Sequence, residues 1–119
     1  MKTFTHKIGD IGDVEYTIKI GSNAKENWDL IDNSYPEDLW FHLDEYPSAH
    51  VVISQKTNNL DNIFYPNQII SLGSSYCKSY SKYGKNLYKA KIVYTQIKNL
   101  KKGKKVGEVI ISKPNYFIV

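Results

Sequence analysis

The chain has 119 residues, a formal net charge of +4 at pH 7 and a single cysteine, Cys77, which excludes an intrachain disulfide and a cysteine-based four-ligand zinc site. Its length and composition are those of one globular domain, which we expect to cover residues 1–119. Because it carries no apolar run long enough for a signal peptide or for the roughly 20 residues of a membrane span, we expect a cytoplasmic protein with no membrane partner.

The spacing of apolar residues predicts seven strands and two main helices. In chain order the strands are expected at 2–8, 14–20, 38–43, 49–54, 88–95, 106–111 and 116–119. The helices are expected at about 24–33, where Asn23 and Glu26 form a cap, and at about 66–83, which begins at Pro66. Since the strands mostly do not alternate with helices, we predict an α+β fold with a mostly antiparallel sheet of six or seven strands.

The second predicted helix should bury its large apolar side chains against the sheet. The expected buried stripe comprises Ile69, Leu72 or Gly73, Tyr76 and Tyr80. Serines and lysines, Ser74 among them, should face water. A turn at 9–13 and a polar connection at 58–65 join the remaining elements.

Strands 38–43 and 49–54 alternate between an apolar face and a polar face. The polar face carries an acid, an indole and two imidazoles, namely Asp38, Trp40, His42 and His50. If this face is open, Trp40 can stack on a nucleobase; if a helix covers it, Trp40 belongs to the core.

The two histidines of this face allow three interpretations. Both are hydrogen-bonded structural residues, or both contact a binding partner, or they take part in chemistry. In the third case His42 would be a base oriented by Asp38, or His42, His50 and a carboxylate would hold a metal. The intervening turn at 47–50 is either an ordinary turn or a nest of backbone N–H groups that binds an anion.

Charge is distributed unevenly along the chain. Residues 1–61 contain 5 Lys and 11 Asp or Glu, whereas residues 62–119 contain 11 Lys and Glu108 as the one acid. This asymmetry predicts a basic face with a polyanionic partner; the alternative is a solvated lysine-rich surface. The chain has no arginine, so its cations are point charges that favour recognition of a phosphate backbone over recognition of bases.

Four segments resemble the motifs of a known family, the NFACT-R domain. The first segment, Asp38 to Ile53, reads DLWFHLDEYPSAHVVI, and the second, residues 25–31, reads KENWDLI. The third is Ser81, at the end of the second predicted helix. The fourth, at the end of the chain, contains KIVYT, KNLKK and GEV, which begin at residues 91, 98 and 107. The resemblance covers about residues 14–119. It departs from the family pattern at 47–50, where Pro-Ser-Ala-His replaces the usual Pro-Gly-Ser-His.

The resemblance implies an RNA-binding module of the kind found in ribosome-associated quality-control factors, which bind obstructed large subunits and tRNA. One relative in the family is described as a DNA-sensing protein. We therefore predict a non-catalytic module that binds structured RNA, either tRNA or rRNA, in a translation context that includes the ribosome. No cofactor and no metal are expected.

The expected nucleic-acid contacts combine the polar face with the lysine-rich half of the chain. They are Trp40, His42, Ser48, His50, Lys78, Lys82, Lys89, Lys91, Lys98, Lys101, Lys102, Lys104 and Lys105. Three alternatives remain: a DNA-binding module, a protein-interaction module that uses the acidic half, and a hydrolase that uses His42, His50 and Asp38.

Overall fold

The structure, a computed structural model, describes residues 1–8, 14–56 and 65–119. Within these residues it contains two α-helices, α1 (Ala24–Asp32) and α2 (Asn67–Tyr80), and eight strands. The strands are β1 (Lys2–Ile8), β2 (Val14–Gly21), β3 (Leu39–Leu43), β4 (His50–Lys56), β5 (Lys91–Gln96), β6 (Leu100–Lys102), β7 (Val109–Ile111) and β8 (Asn115–Ile118). The turn predicted at 9–13 and most of the connection predicted at 58–65 lie outside the described residues.

Six of the described strands form one antiparallel sheet in the order β1-β2-β4-β3-β5-β8. The strands β6 and β7 pair with each other in a separate hairpin. The predicted α+β fold with a mostly antiparallel sheet is confirmed. Because β3 and β4 lie in the middle of the large sheet, side chains on both of its faces can be buried if both faces are covered.

The helix α2 covers one face of the sheet. The side chains beneath it are the apolar ones of the two central strands, Leu39, Phe41, Leu43, Val51 and Ile53. They form one core with Ile69 and Cys77 of the helix. The predicted apolar face of strands 38–43 and 49–54 is therefore confirmed.

The buried stripe of α2 differs from the prediction. Ile69 and Gly73 are buried as predicted. Ser74, expected to face water, and Cys77 are also buried, whereas Tyr80, expected to be buried, is 40% exposed. The helix approaches the sheet so closely that a β carbon on residue 73 would lie 2.5 Å from the Phe41 ring. Small residues therefore occupy the contact, and the large tyrosines lie at its margin.

Tyr76 and Tyr80 pack at the edge of the sheet against Phe4 of β1, with ring centroids 5.0 and 6.0 Å away. The helix begins after Pro66, which is its N-cap, and ends at Tyr80, three residues earlier than predicted. A 3₁₀ turn, Gly84–Asn86, follows the helix.

Two later strands are shorter than predicted. β5 begins at Lys91 instead of residue 88, and β7 begins at Val109 instead of residue 106. The lysine-rich segment 98–105 is not a simple loop, because it contains the end of a 3₁₀ turn, Ile97–Asn99, and the whole of β6.

The second face of the sheet is covered by α1 and by the β6–β7 hairpin. Trp40, Val52 and Val93 of the sheet form a second core with Leu30 of α1 and with Ile97. Leu100, Val109 and Ile111 of the hairpin pack against this core. Of the two alternatives for Trp40, the core position is the observed one, since the ring is 0% exposed, and the open polar face is not.

The start of α1 follows the predicted cap. The Asn23 side chain accepts a hydrogen bond from the Glu26 backbone N–H at 2.9 Å, and the Glu26 carboxylate accepts one from the Ser22 backbone N–H, also at 2.9 Å. This reciprocal arrangement satisfies two backbone donors at the helix start. It fixes the position of Asn27, one turn further along, which the site uses.

Gly73 generates a stability prediction. Replacing it with Ala places a methyl group against Phe41 and Ile53, so we expect Gly73→Ala to lower the free energy of unfolding by about 1–3 kcal/mol. The gain in helix propensity, about 1 kcal/mol, is the opposing effect. Urea unfolding followed by circular dichroism measures the difference.

The neighbouring residue provides the control. The Ser74 hydroxyl is buried and has no hydrogen-bond partner among the described residues. We expect Ser74→Ala to leave stability unchanged or to raise it by about 1 kcal/mol, because a buried unpaired hydroxyl is removed. A stabilised Gly73→Ala variant would contradict the tight contact between α2 and the sheet.

Candidate nucleic-acid interface

Trp40 and the two predicted histidines form one buried aromatic cluster. The Trp40 indole N–H donates a hydrogen bond to His50 Nδ1 at 3.1 Å. The Trp40 ring stacks on His42 at a centroid distance of 5.6 Å, and the two imidazoles meet edge to face at 5.0 Å. With Trp40 at 0% and His50 at 2% exposure, neither offers an open ring face to a nucleic acid. The stacking considered for Trp40 is therefore corrected to a supporting position, while His50 keeps only a ring edge beside the surface.

The hydrogen bonds of this cluster define where the protons lie. His50 Nδ1 accepts from Trp40, so the proton of neutral His50 is on Nε2. His42 Nδ1 contacts the Leu43 carbonyl oxygen, which can only accept, so the proton of neutral His42 is on Nδ1. Burial lowers the pKa of His50 to about 3 and also lowers the pKa of His42, because a charged ring would lose its hydration.

Asp38 does not orient His42. Its carboxylate accepts hydrogen bonds from the Ser54 hydroxyl at 2.7 Å and from the Tyr35 backbone N–H at 2.9 Å. Burial raises the pKa of Asp38. The pair proposed for a hydrolase is thus not formed in the described structure, and no group of three His, Cys, Asp or Glu side chains in residues 1–8, 14–56 and 65–119 is arranged to hold a metal.

The turn at 47–50 is fixed by side chains from both helical regions. The Ala49 backbone N–H donates to the hydroxyl of Ser81, and the His50 backbone N–H donates to the Asn27 side-chain oxygen, at 3.1 and 3.3 Å. The Ser48 hydroxyl accepts from the Leu43 backbone N–H at 3.0 Å. Since two of its backbone donors are already used, the turn is structural and is not an anion nest.

A groove of about 500 Å³ opens beside this turn, between the start of α1 and the end of α2. We call it the α1–α2 groove. Four predicted contact residues line it, His42, Ser48, His50 and Lys82. Its remaining walls come from residues 22–24 and Asn27, from Tyr80, Ser81 and Tyr83, and from Val106 and Gly107 of the hairpin turn.

Exposed tyrosines that are not among the predicted contacts lie at or beside the groove. Tyr83 is 46% and Tyr46 is 41% exposed, and their rings stack on each other with centroids 5.8 Å apart. Tyr80, predicted to be buried, also lines the groove. The ten tyrosines of the chain were a signal for such a surface, but only the position of the end of α2 shows which of them remain uncovered.

The lysine-rich segment 98–105 exposes most of its lysine side chains. Lys98, Lys101, Lys104 and Lys105 are exposed, and no carboxylate pairs with their ammonium groups among the described residues. The Glu108 carboxylate lies in the same turn and accepts a hydrogen bond from the Lys104 backbone N–H at 3.3 Å. Four of the predicted cations within eight consecutive residues are therefore exposed and have no carboxylate partner among the described residues.

Lys102 differs from its neighbours. Its ammonium nitrogen lies 2.6 Å from an Asp32 carboxylate oxygen and 5.1 Å from the centre of the Trp28 ring. The Trp28 indole N–H donates to the Glu108 carbonyl oxygen at 3.0 Å. Lys102 thus helps to attach the hairpin to α1.

The other predicted lysines lie outside the hairpin. The Lys91 ammonium is 3.6 Å from Asp44 and 4.5 Å from the centre of the Tyr116 ring, and the Lys78 ammonium donates to the Tyr88 carbonyl oxygen at 3.3 Å. Lys82 and Lys89 are exposed. The structure brings Lys82 to the α1–α2 groove, but it does not bring Lys78, Lys89 or Lys91 there.

Comparison with known proteins establishes the family. Residues 3–113 match the family described as NFACT protein RNA binding domain. The chain belongs to this family. The resemblance based on the sequence motifs is confirmed, and membership of the NFACT RNA-binding domain family supports RNA binding as the function.

Curated relatives agree with this assignment. The chain is 39% identical over 88 residues to mouse coiled-coil domain-containing protein 25. The aligned region covers 73% of this chain and 41% of the mouse protein. It is 36% identical over 100 residues to the Dictyostelium discoideum homolog, covering 82% and 48% of the two chains. The chain therefore spans less than half the length of these relatives.

A solved structure has the same fold. The C-terminal region of the fibronectin/fibrinogen-binding protein from Streptococcus suis superposes with a TM-score of 0.76 over 97% of this NFACT domain and 44% of that chain. The two sequences are 23% identical, so the similarity concerns the fold alone. No helix in the described part of this chain has the length and apolarity required to cross a membrane.

The NFACT motifs quoted above meet at one place in the structure. One part of each motif segment lines the α1–α2 groove: Asn27, the turn at 47–50, Ser81 and Gly107. The hydrogen bonds from Ala49 to Ser81 and from His50 to Asn27 join three of these segments directly.

The buried histidine generates a pH prediction. The pKa of His50 is about 3 in the folded state and about 6.5 in an unfolded chain, so below pH 6.5 the unfolded state takes up a proton that the folded state does not. Stability is therefore lost as the pH falls from 6.5 towards 3. For His50 we expect a loss of about 2 kcal/mol between pH 7 and pH 5.

Urea unfolding of the native protein and of His50→Asn at both pH values tests this expectation. The Asn oxygen preserves an acceptor for the Trp40 indole, and it removes the titrating ring. The variant should lose less stability on acidification than the native protein. Asp38 contributes with the opposite sign, because its pKa is raised, but it is present in both proteins and cancels. Equal losses would show that His50 is not buried in its neutral form.

Proposed function

We propose that this chain is a non-catalytic module that binds structured RNA through the exposed lysines of segment 98–105, with the α1–α2 groove beside them. The proposal is supported by the family match and by one structural observation: Lys98, in the 3₁₀ turn before the hairpin, and Lys101, Lys104 and Lys105, in the hairpin, are exposed and have no carboxylate partners among the described residues. Cations that no internal acid neutralises are free to displace the counterions of a phosphate backbone.

The chemistry of lysine determines the kind of recognition. An ammonium group contacts phosphate as a point charge and does not form the paired hydrogen bonds with which arginine recognises guanine. We therefore expect the hairpin to follow the backbone of a folded RNA and to carry little sequence preference. Lys82 and Lys89 are exposed, and Lys82 lies at the groove, whereas Lys78, Lys91 and Lys102 contribute less because they already have partners.

The partner that we propose is tRNA or rRNA, and the setting is translation or ribosome quality control in the cytoplasm. This follows the resemblance of the motifs to those of NFACT factors. Within the groove, His42, Ser48 and His50 retain their proposed place beside the RNA, and Trp40 supports His50 from below through its hydrogen bond.

Salt dependence tests the proposal. Replacing Lys98, Lys101, Lys104 and Lys105 together by Ala should flatten the plot of log affinity against log salt by up to about 0.9 per lysine, since each phosphate contact releases counterions. Fluorescence anisotropy with a labelled RNA hairpin between low and physiological salt measures the slope. An unchanged slope would show that the hairpin does not contact phosphate.

Lys102 provides the matched control for the same assay. Its charge is engaged by Asp32, so Lys102→Ala should change the slope less than Lys101→Ala does. If the two single variants have equal effects, the ion pair with Asp32 does not limit the contact of Lys102 with RNA.

A competition experiment separates RNA from the other partners. A DNA hairpin of the same sequence should displace the labelled RNA only weakly, because it has neither the A-form shape nor the 2′-hydroxyls of RNA. Equal or stronger competition by DNA would favour a DNA-binding module. Absence of nucleic-acid binding together with salt-insensitive binding of a protein would favour a protein-interaction module.

A further inference from the structure

We infer that the α1–α2 groove receives one unpaired nucleobase of the bound RNA. This inference rests on the proposed function and specifies it further: the hairpin would hold the backbone and the groove would hold a base that is not in a helix. Four features of the described residues support it, and each concerns a different part of the groove.

The first feature is the shape and charge of the groove. Its volume of about 500 Å³ lies within the roughly 300–1,000 Å³ of small-ligand sites. Its described lining contains a lysine and two histidines and no carboxylate. A groove without acidic side chains does not repel a nucleotide.

The second feature is an aromatic wall. Tyr83 lines the groove, and Tyr46 stacks behind it at 5.8 Å with the two ring planes 29° apart. Both rings are more than two-fifths exposed, so apolar ring surface is available for contact with a ligand. A ring held in place by a second ring is a preformed surface on which a base can stack, and stacking does not depend on base identity.

The third feature is the donor on the groove floor. His50 lines the groove, is only 2% exposed and carries its proton on Nε2, because Nδ1 accepts from Trp40. Nε2 makes no hydrogen bond within the described part of the chain. A fixed, uncharged donor suits a nitrogen or carbonyl acceptor on the edge of a base.

The fourth feature is the position of the cations relative to the groove. Lys82 is exposed at its margin, and Val106 and Gly107, which form another wall, directly follow Lys104 and Lys105 in the chain. Phosphates on either side of an inserted base would therefore meet lysines. The same short segment serves the backbone contact and the groove.

The test compares two RNA hairpins of equal charge. One carries a single bulged nucleotide, and the other carries an abasic site at the same position, so that the two differ only by the base. We expect the native protein to bind the bulged RNA about 5- to 150-fold more tightly than the abasic RNA, the range that corresponds to stacking of one base. Anisotropy titrations at one salt concentration measure the ratio.

Variants locate the effect. Tyr83→Ala should reduce the ratio towards one, Tyr83→Phe should retain it, and Tyr88→Ala, which removes a 92% exposed tyrosine outside the groove lining, should leave it unchanged. The retained ratio of Tyr83→Phe guards against a loss that comes from misfolding. The lysine variant of the hairpin should weaken both RNAs by a similar factor, because they have the same backbone.

The outcomes are distinguishable. A ratio of one in the native protein, with the salt slope intact, would overturn the base-binding groove and leave the proposed function standing. A ratio that survives Tyr83→Ala would show that the base binds elsewhere and would also overturn the inference. If neither RNA binds, and a protein or phosphopeptide binds instead, the proposed function and this inference both fail.

Discussion

The hydrogen bond from the Trp40 indole to His50 Nδ1 is the interaction on which the candidate site depends. It joins the two central strands at a point where both partners are almost completely buried. A buried indole N–H without an acceptor would cost about 1–3 kcal/mol, and a charged His50 would have no proton-free Nδ1 to offer. The pair therefore requires a neutral histidine, and that neutrality fixes the remaining proton on the nitrogen that is available to the groove.

The layers above this pair determine where the groove lies. The helix α1 and the β6–β7 hairpin cover Trp40, Val52 and Val93, but they do not continue over the turn at 47–50. At the turn, the residues that follow α2 take part instead: the Ser81 hydroxyl accepts a hydrogen bond from the Ala49 backbone N–H, and Tyr83 lines the groove. The groove is thus the gap between two layers on opposite faces of one sheet, and side chains from both layers line it.

The sequence predicted the elements well and the covering of the polar face poorly, and both results have the same origin. Alternation along 38–43 shows that the two faces of a strand differ, but it does not show what packs on either face. Trp40 and His42 are compatible with an open surface or with a second core, and the decision depends on a hairpin some 60 residues later in the chain. Likewise, the preference for large residues selected Tyr80 over Cys77 on α2, because only the position of Phe41 shows that the contact requires small side chains.

Segment 98–105 was recognisable from charge alone, yet charge could not separate its members. Lys102 pairs with Asp32, whereas the neighbouring lysines have no such partner among the described residues. Side chains alternate along β6, and the hydrogen bond from Trp28 to Glu108 holds the hairpin against α1, so the Lys102 side chain faces α1. Docking also requires Gly107, which has φ of +90° and lies so close to α1 that a β carbon there would be 2.8 Å from the Ala24 β carbon. The turn that presents Lys104 and Lys105 is consequently the same turn that closes one wall of the groove, so the approach of Gly107 to α1 positions both the lysines and that wall.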